Sequence, residues 1–178
     1  MALSTGERTH LAIQLFRSTI LTLQNSKLDL DTVVVTGSEK IREICLEYSV
    51  QTLPEAINSD LNQILGEACR CAYEYNYKQI ILIPSDLANP NFQILKQFTD
   101  SPINENHLTI FPSYDGGTNC LISTLPILFP FQYGKGSALM HIEMGRKHGY
   151  ITELVDSESF RLDIDTIEDL KSVESKFS

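Results

Sequence analysis

The first half of the chain switches repeatedly between two hydrophobic periods, and that alternation limits its fold more than any other feature. Ser4-Thr-Gly-Glu7 has the form of a capping box. Leu11, Ala12, Leu15, Phe16, Thr19, Ile20 and Leu23 then recur at helical spacing. DTVVVTG, from Asp31 to Gly37, is a β-branched run closed by a turn residue, which predicts a buried strand. SEKIREICLEYS follows as a helix capped by Ser38, and VQTLP as a second strand. A longer helix, capped by Ser59 or Asp60, is expected to turn Leu61, Ile64, Leu65, Ala68, Ala72 and Tyr75 inward. QIILIPSDL is a third strand, and its continuous apolar centre suits a strand covered on both faces. Strands separated by helices pair in parallel through crossovers. The expected class is therefore α/β: a mostly parallel central sheet, helices on both faces, and a Rossmann-like order.

The second half is less regular. HLTIFPS and NCLISTL are expected strands around a Gly-rich loop, and GSALMHIEMGRKHG is a helix. YITELV and SFRLDID are expected strands, with a last helix from about Thr166. This C-terminal half is mixed, and residues 1–178 read as one domain. Its first helix has no strand before it, although in open α/β sheets the loop after such a strand commonly binds phosphate.

Charge narrows the function. A net charge of -9 repels phosphate backbones, so nucleic-acid binding is not expected. A nucleotide can still bind if a divalent cation and local donors offset the repulsion. No apolar run is long enough to span a membrane, and MALSTGERTH contains no signal core, so a cytoplasmic protein is expected. Cys45, Cys69, Cys71 and Cys120 lie in apolar patterns and read as reduced thiols.

LDIDTIEDL, Leu162 to Leu170, gathers Asp163, Asp165, Glu168 and Asp169 without a Lys or Arg. On a strand, Asp163 and Asp165 would face the same side. Two carboxylates at ~4 Å repel by roughly 4 kcal/mol at an effective dielectric of 20. Arg161 would share their face but cannot neutralise both. A hard divalent cation answers the repulsion, and Mg²⁺ is typical where phosphates are also bound; a solvated strand end is the other reading. Thr166 with Asp169 has the form of a helix N-cap followed by a first-turn acid. Asp86 ends the third strand, where ligands of open α/β sheets bind, or it simply begins a turn towards Asn89 and Pro90.

Two glycine loops complete the candidates. In PSYDGGTN, Gly116 and Gly117 allow close backbone approach to a ligand, and Thr118 and Asn119 add polar side chains; a hairpin turn is the alternative. In YGKGS, Gly134 and Gly136 flank Lys135 ahead of a helix that Ser137 can cap. An anionic group could sit on the exposed amides there, with His141 one turn further on the same side. A plainly capped helix also accounts for the pattern. His10, His107 and His148 have no ligand spacing.

In order, these pieces are Pro84-Ser-Asp86-Leu, Pro112-Ser-Tyr-Asp-Gly-Gly-Thr-Asn119, Phe129-Pro-Phe-Gln-Tyr-Gly-Lys-Gly-Ser137 with His141, and Leu162-Asp-Ile-Asp-Thr166 with Glu168-Asp-Leu170. The set resembles the 2-phospho-L-lactate guanylyltransferase family of glycosyltransferase-A-like nucleotidyltransferases, from Ser4 to about Leu170. The resemblance implies transfer of GMP from GTP to 2-phospho-L-lactate, phosphoenolpyruvate or 3-phosphoglycerate, with release of pyrophosphate, in assembly of the deazaflavin coenzyme factor 420. It implies Mg²⁺ on Asp86, Asp163 and Asp165. It assigns Thr118, Asn119, Gly134, Gly136, Ser137 and His141 to the acceptor, and Leu61, Asn62, Pro84 and Ser85 to the nucleotide. A homodimer, and hand-off of product to the next transferase of the pathway, belong to the same expectation.

Relatives in that family usually open with a strand and a basic loop that grips the triphosphate. Here only MALS corresponds to it, and Asp86-Leu-Ala-Asn stands where they tend to have D-L-P. Two other readings follow: a non-catalytic descendant that binds a phosphorylated metabolite or a partner, and a nucleotidyltransferase of the same fold acting on a sugar phosphate or a molybdenum cofactor.

Overall fold

The structure, a computed structural model, describes residues 4–55, 59–100 and 106–164. Its elements are α1 (Thr5–Asn25), β1 (Val33–Thr36), α2 (Glu39–Glu47), β2 (Gln51–Pro54), α3 (Leu61–Glu74), β3 (Gln79–Leu82), α4 (Lys96–Thr99), β4 (His107–Pro112), β5 (Thr118–Thr124), α5 (Ser137–Lys147) and β6 (Ile151–Leu154), with short 3-10 turns at Phe92–Leu95 and Glu158–Phe160.

Helix starts follow their capping chemistry. Ser4 accepts from the Glu7 amide while the Glu7 carboxylate accepts from the Ser4 amide, so two N-terminal donors are satisfied reciprocally. Asp60, rather than Ser59, caps α3 in the same way with Gln63. Ser38 caps α2.

The strands form two sheets where one was expected. β1 and β2 pair in parallel, and β3, β5, β4 and β6 form a second sheet in that order. β5 is antiparallel to both β3 and β4, and β6 is parallel to β4, so β5 alone runs against its neighbours. The antiparallel β4–β5 pair fits the mixed C-terminal half expected from the sequence, since the tight loop joining HLTIFPS to NCLISTL forces antiparallel pairing.

Alternate residues of the larger sheet enter opposite cores, as strands covered on both faces require. On one side Leu108, Ile110 and Leu121 pack with Cys69, Phe129, Phe131, Ile142 and Tyr150, against Ile80 and Leu82. On the other, Phe111, Cys120 and Ile122 pack with Leu87, Phe92, Leu95 and Phe160, against Ile81 and Ile83. A third core joins α1 to α2 and β1 through Phe16, Ile20, Ile44, Cys45 and Val34. Because Leu23 also reaches the second core, α1 bridges the two sheets. It adds a hydrogen bond from the Thr19 hydroxyl to the Ser85 carbonyl, 3.2 Å.

Two sequence expectations change. α3 packs through Leu65 and Cys69, so Leu61 and Tyr75 at its ends are exposed rather than inward. SFRLDID is not a strand. Phe160 turns into the second core from a 3-10 turn, and only Asp163 makes an antiparallel bridge, to Leu87.

Candidate active site

The candidate residues gather where β3 and β4 end and β5 begins. Leu82 pairs with Leu121, and Pro112 with Thr118. Since β5 runs the other way, its first residues, Thr118 and Asn119, lie at the same end as the segment after Leu82 that carries Asp86.

Backbone pairing joins the segments that carry Asp86 and Asp163, with Leu87 opposite Asp163. The Asp86 carbonyl accepts from the Ile164 amide at 2.9 Å, and the Leu162 carbonyl accepts from the Ala88 amide at 2.9 Å. Both aspartates are half-buried. The Asn119 amide donates to Asp163 Oδ1 at 3.4 Å, which ties the start of β5 to the acidic segment. Arg161 points away from them: its guanidinium pairs with Asp156 and stacks 5.5 Å from the Tyr114 ring. The sequence placed it on the aspartates' face because it assumed a strand there. Asp165 and the Thr166–Asp169 capping pattern lie outside the described residues.

The glycine loops pack on one another. Gly116, Gly134 and Gly136 take φ of 83°, 135° and 72°, a region that side-chain-bearing residues rarely enter. A Cβ on Gly116 would sit 3.6 Å from the Gly136 Cα, and the Ala138 amide donates to the Gly116 carbonyl at 3.1 Å. Asp115, which the sequence reading passed over, organises the first loop. It accepts from the Ser113 hydroxyl at 2.5 Å and the Gly117 amide at 2.9 Å. These bonds, helped by the nearby Lys135 charge, hold its carboxyl below the usual carboxylate range. The S-x-D-x-G spacing was the available signal, as aspartate commonly bonds its own backbone two residues on.

The α5 end differs from its expected form. Gly136 is the N-cap and no side chain caps the helix. Ser137 is instead the first helical residue, and its amide donates to the Gly134 carbonyl at 3.1 Å. With Ala138 engaged as well, two of the helix's first amides are already used. The Ser137 hydroxyl lies 2.9 Å from Thr118 Oγ1, which lies 3.1 Å from His141 Nδ1. His141 Nε2 accepts from the Gln132 amide at 3.0 Å. Ser137 and His141 are fully enclosed. Burial pushes His141 down to about 4, so the ring is neutral at physiological pH. Burial also raises the Cys120 thiol and the Tyr133 phenol, which stay uncharged.

The residues expected at the nucleotide lie beside this cluster. The Tyr133 amide donates to Asn62 Oδ1 at 2.7 Å, joining the first turn of α3 to the YGKGS loop. Leu61 stands exposed next to it, and Ser85 is exposed ahead of Asp86. The structure thus brings together Asp86, Asp163, Thr118 and Asn119 at one sheet end, and Ser137, His141, Gly134, Gly136 and Asn62 around the adjoining loops.

The architecture is of the nucleotidyltransferase type. A protein described as a nucleotide-diphospho-sugar transferase from Desulfovibrio desulfuricans superposes with a TM-score of 0.69 at 15% identity, over 95% of this chain and 76% of that one. A cytidylyltransferase from Leptospira borgpetersenii does so at 0.64 and 20% identity, over 90% and 74%. The chain belongs to the family described as "Guanylyl transferase CofC like", whose model matches residues 1–174. Its relatives include the 3-phospho-D-glycerate guanylyltransferase of Colwellia psychrerythraea, 28% identical over 95% of this chain and 80% of that protein. The 2-phospho-L-lactate guanylyltransferase of Methanocaldococcus vulcanius is 30% identical, over 96% of this chain and 74% of its own length.

Proposed function

We propose that this protein transfers GMP from GTP to a small phosphorylated three-carbon acid, 2-phospho-L-lactate, phosphoenolpyruvate or 3-phosphoglycerate, in assembly of a deazaflavin coenzyme. The observation that carries the reading is the pairing of the Asp86 and Asp163 segments, with Asn119 on Asp163, at the strand ends of a nucleotidyltransferase-type sheet. The family and the relatives' substrates support guanine and a phosphorylated acid.

An oxygen of the acceptor phosphate forms the new bond to the α-phosphorus of GTP. The bond from that phosphorus to the bridging oxygen breaks, and pyrophosphate leaves. A phosphate dianion needs no base to act as nucleophile. The enclosed neutral His141 is accordingly no general base; both its nitrogens are committed to the protein.

Two half-buried carboxylates suit Mg²⁺, which prefers one or two carboxylates completed by phosphate and water oxygens. Among the described residues no three His, Cys, Asp or Glu side chains gather, and Asp86 and Asp163 are the carboxylates proposed to hold the ion. When bound, the ion would neutralise charge on the transferring phosphoryl group and the departing pyrophosphate. Asn119 bonds the Asp163 carboxylate, and pairing of residues 86–88 with 162–164 holds the two backbone segments against each other. None of the helices among the described residues is long and apolar enough to cross a membrane, and the use of GTP fits a cytoplasmic reaction.

The test is pyrophosphate release with Mg²⁺, GTP and each acid in turn. Release with one acid and not with unphosphorylated lactate supports the reading; no release with any of the three acids rejects it.

A further inference from the structure

His141 is enclosed, yet its hydrogen bonds decide what the neighbouring hydroxyls can offer. The Gln132 amide donates to Nε2, so Nε2 carries no hydrogen. A neutral imidazole then holds its hydrogen on Nδ1 and donates it to Thr118 Oγ1. Thr118 and Ser137 own two hydroxyl hydrogens between them and use one for their mutual bond. Because the imidazole supplies its own hydrogen, one hydroxyl hydrogen is left over, with no acceptor outside the pair among the described residues. In the opposite tautomer Thr118 would have to donate to Nδ1 and Ser137 to Thr118, and none would remain. Thr118 and Ser137 are themselves buried, under the turn formed by Gly116, Gly134 and Gly136.

We propose that His141 is a positioning residue: by holding the Nδ1–H tautomer, it frees one hydroxyl hydrogen of the Thr118–Ser137 pair to donate to the anionic group of the acceptor acid. This rests on the guanylyltransferase reading, and it moves His141 from touching the acceptor to acting through Thr118. Gln132, whose side chain the idea does not use, contributes only its amide. A hydroxyl buried beneath a glycine turn suits an anion, since the turn admits the ligand closely while water is kept from the bond.

Two measurements test this on the full chain. Long-range proton–nitrogen spectra of the ligand-free protein are expected to show His141 protonated on Nδ1; protonation on Nε2 overturns the proposal whatever the enzyme does. Calorimetry with 3-phospho-D-glycerate and 2-phospho-L-lactate, with steady-state kinetics, then compares His141→Phe, His141→Asn and Thr118→Val. His141→Phe is expected to weaken acid binding by roughly 10- to 100-fold, the scale of a hydrogen bond to a charged group, with KM for GTP unchanged. His141→Asn retains an N–H near Nδ1 and should recover most of the loss. In the Thr118→Val background, His141→Phe should cost nothing further. Equal weakening for acid and GTP, no recovery in His141→Asn, or full additivity with Thr118→Val makes His141 a core residue only. Acid binding without turnover by the wild-type protein would sink the guanylyltransferase reading and leave the hydroxyl argument standing. Failure of the wild-type chain to bind either acid overturns the proposal.

Discussion

Asp86 and Asp163 lie one register step apart on two paired segments: the Asp86 carbonyl accepts from the Ile164 amide at 2.9 Å, and Leu87 stands opposite Asp163. The pairing fixes both backbones at the sheet end that carries Asn119, independently of either carboxylate. Asp86→Asn and Asp163→Asn should each lower pyrophosphate release by roughly 100-fold or more, the scale of losing one group that offsets transition-state charge. Melting temperature should change little, because asparagine at 163 still accepts from Asn119 and the pairing uses backbone atoms. Near-wild-type turnover in either variant would show that the pair is not the site.

Phe160 anchors that segment from behind. Its ring is fully buried, 4.8 Å from Phe111 and 6.0 Å from Phe92 between centroids. Phe160→Ala should cost about 3 to 5 kcal/mol, a fall of roughly 10 °C in Tm for a chain of this size. Turnover measured well below the new Tm should still be reduced, since Asp163 is only three residues further along. Thermal melts and rates at low temperature separate the two effects.

Gly116 and Gly6 offer a controlled contrast. At Gly116 a φ of 83° strains any side chain, so Gly116→Ala should destabilise by about 1 to 2 kcal/mol. Gly6 lies in the first turn of α1 with open space around it, and Gly6→Ala should stabilise by up to about 1 kcal/mol. Differential scanning calorimetry should show shifts of opposite sign; a neutral Gly116→Ala would mean the loop readily takes another path.

His141 makes a pH prediction. Its value near 4 in the folded protein lies below the ordinary 6.5, so the unfolded chain binds more protons between those limits. The stability tied to its neutral ring is complete above about pH 6.5 and is lost as pH falls through about 4. By linkage the full difference is about 3 kcal/mol. Carboxylates titrate in the same range, so the comparison is with His141→Asn, whose stability should fall less between pH 6.5 and 4. Parallel stability curves for the two proteins would refute it.

The sequence carried the fold class and its local signals further than the strand directions. Local signals were dependable where one residue type satisfies one need: the Ser4–Glu7 box, the Ser38 cap, a cap on α3 narrowed to Ser59 or Asp60, and the positive φ of Gly116, though not of Gly117. A continuous apolar run identified β3 as a strand covered on both faces, with alternate residues in opposite cores. It could not show that β5 runs against its neighbours, or that β1 and β2 form a sheet apart, because side-chain alternation carries no strand direction. SFRLDID failed for a related reason: apolar and polar residues alternate there, yet Phe160 is buried from a 3-10 turn. The Thr118–Ser137–His141 chain was half legible. Helical spacing placed Ser137 and His141 on one face, but only tertiary packing shows that they meet Thr118 and that Gln132 fixes the ring's hydrogen.

The short bond from the Tyr133 amide to the Asn62 side chain ties the opening turn of α3 to the glycine turn ahead of α5. A ligand that shifted one of these turns would load the other through that bond. Thermodynamic reciprocity then makes the influence mutual: if occupancy of one place tightens the other, the second tightens the first by the same factor.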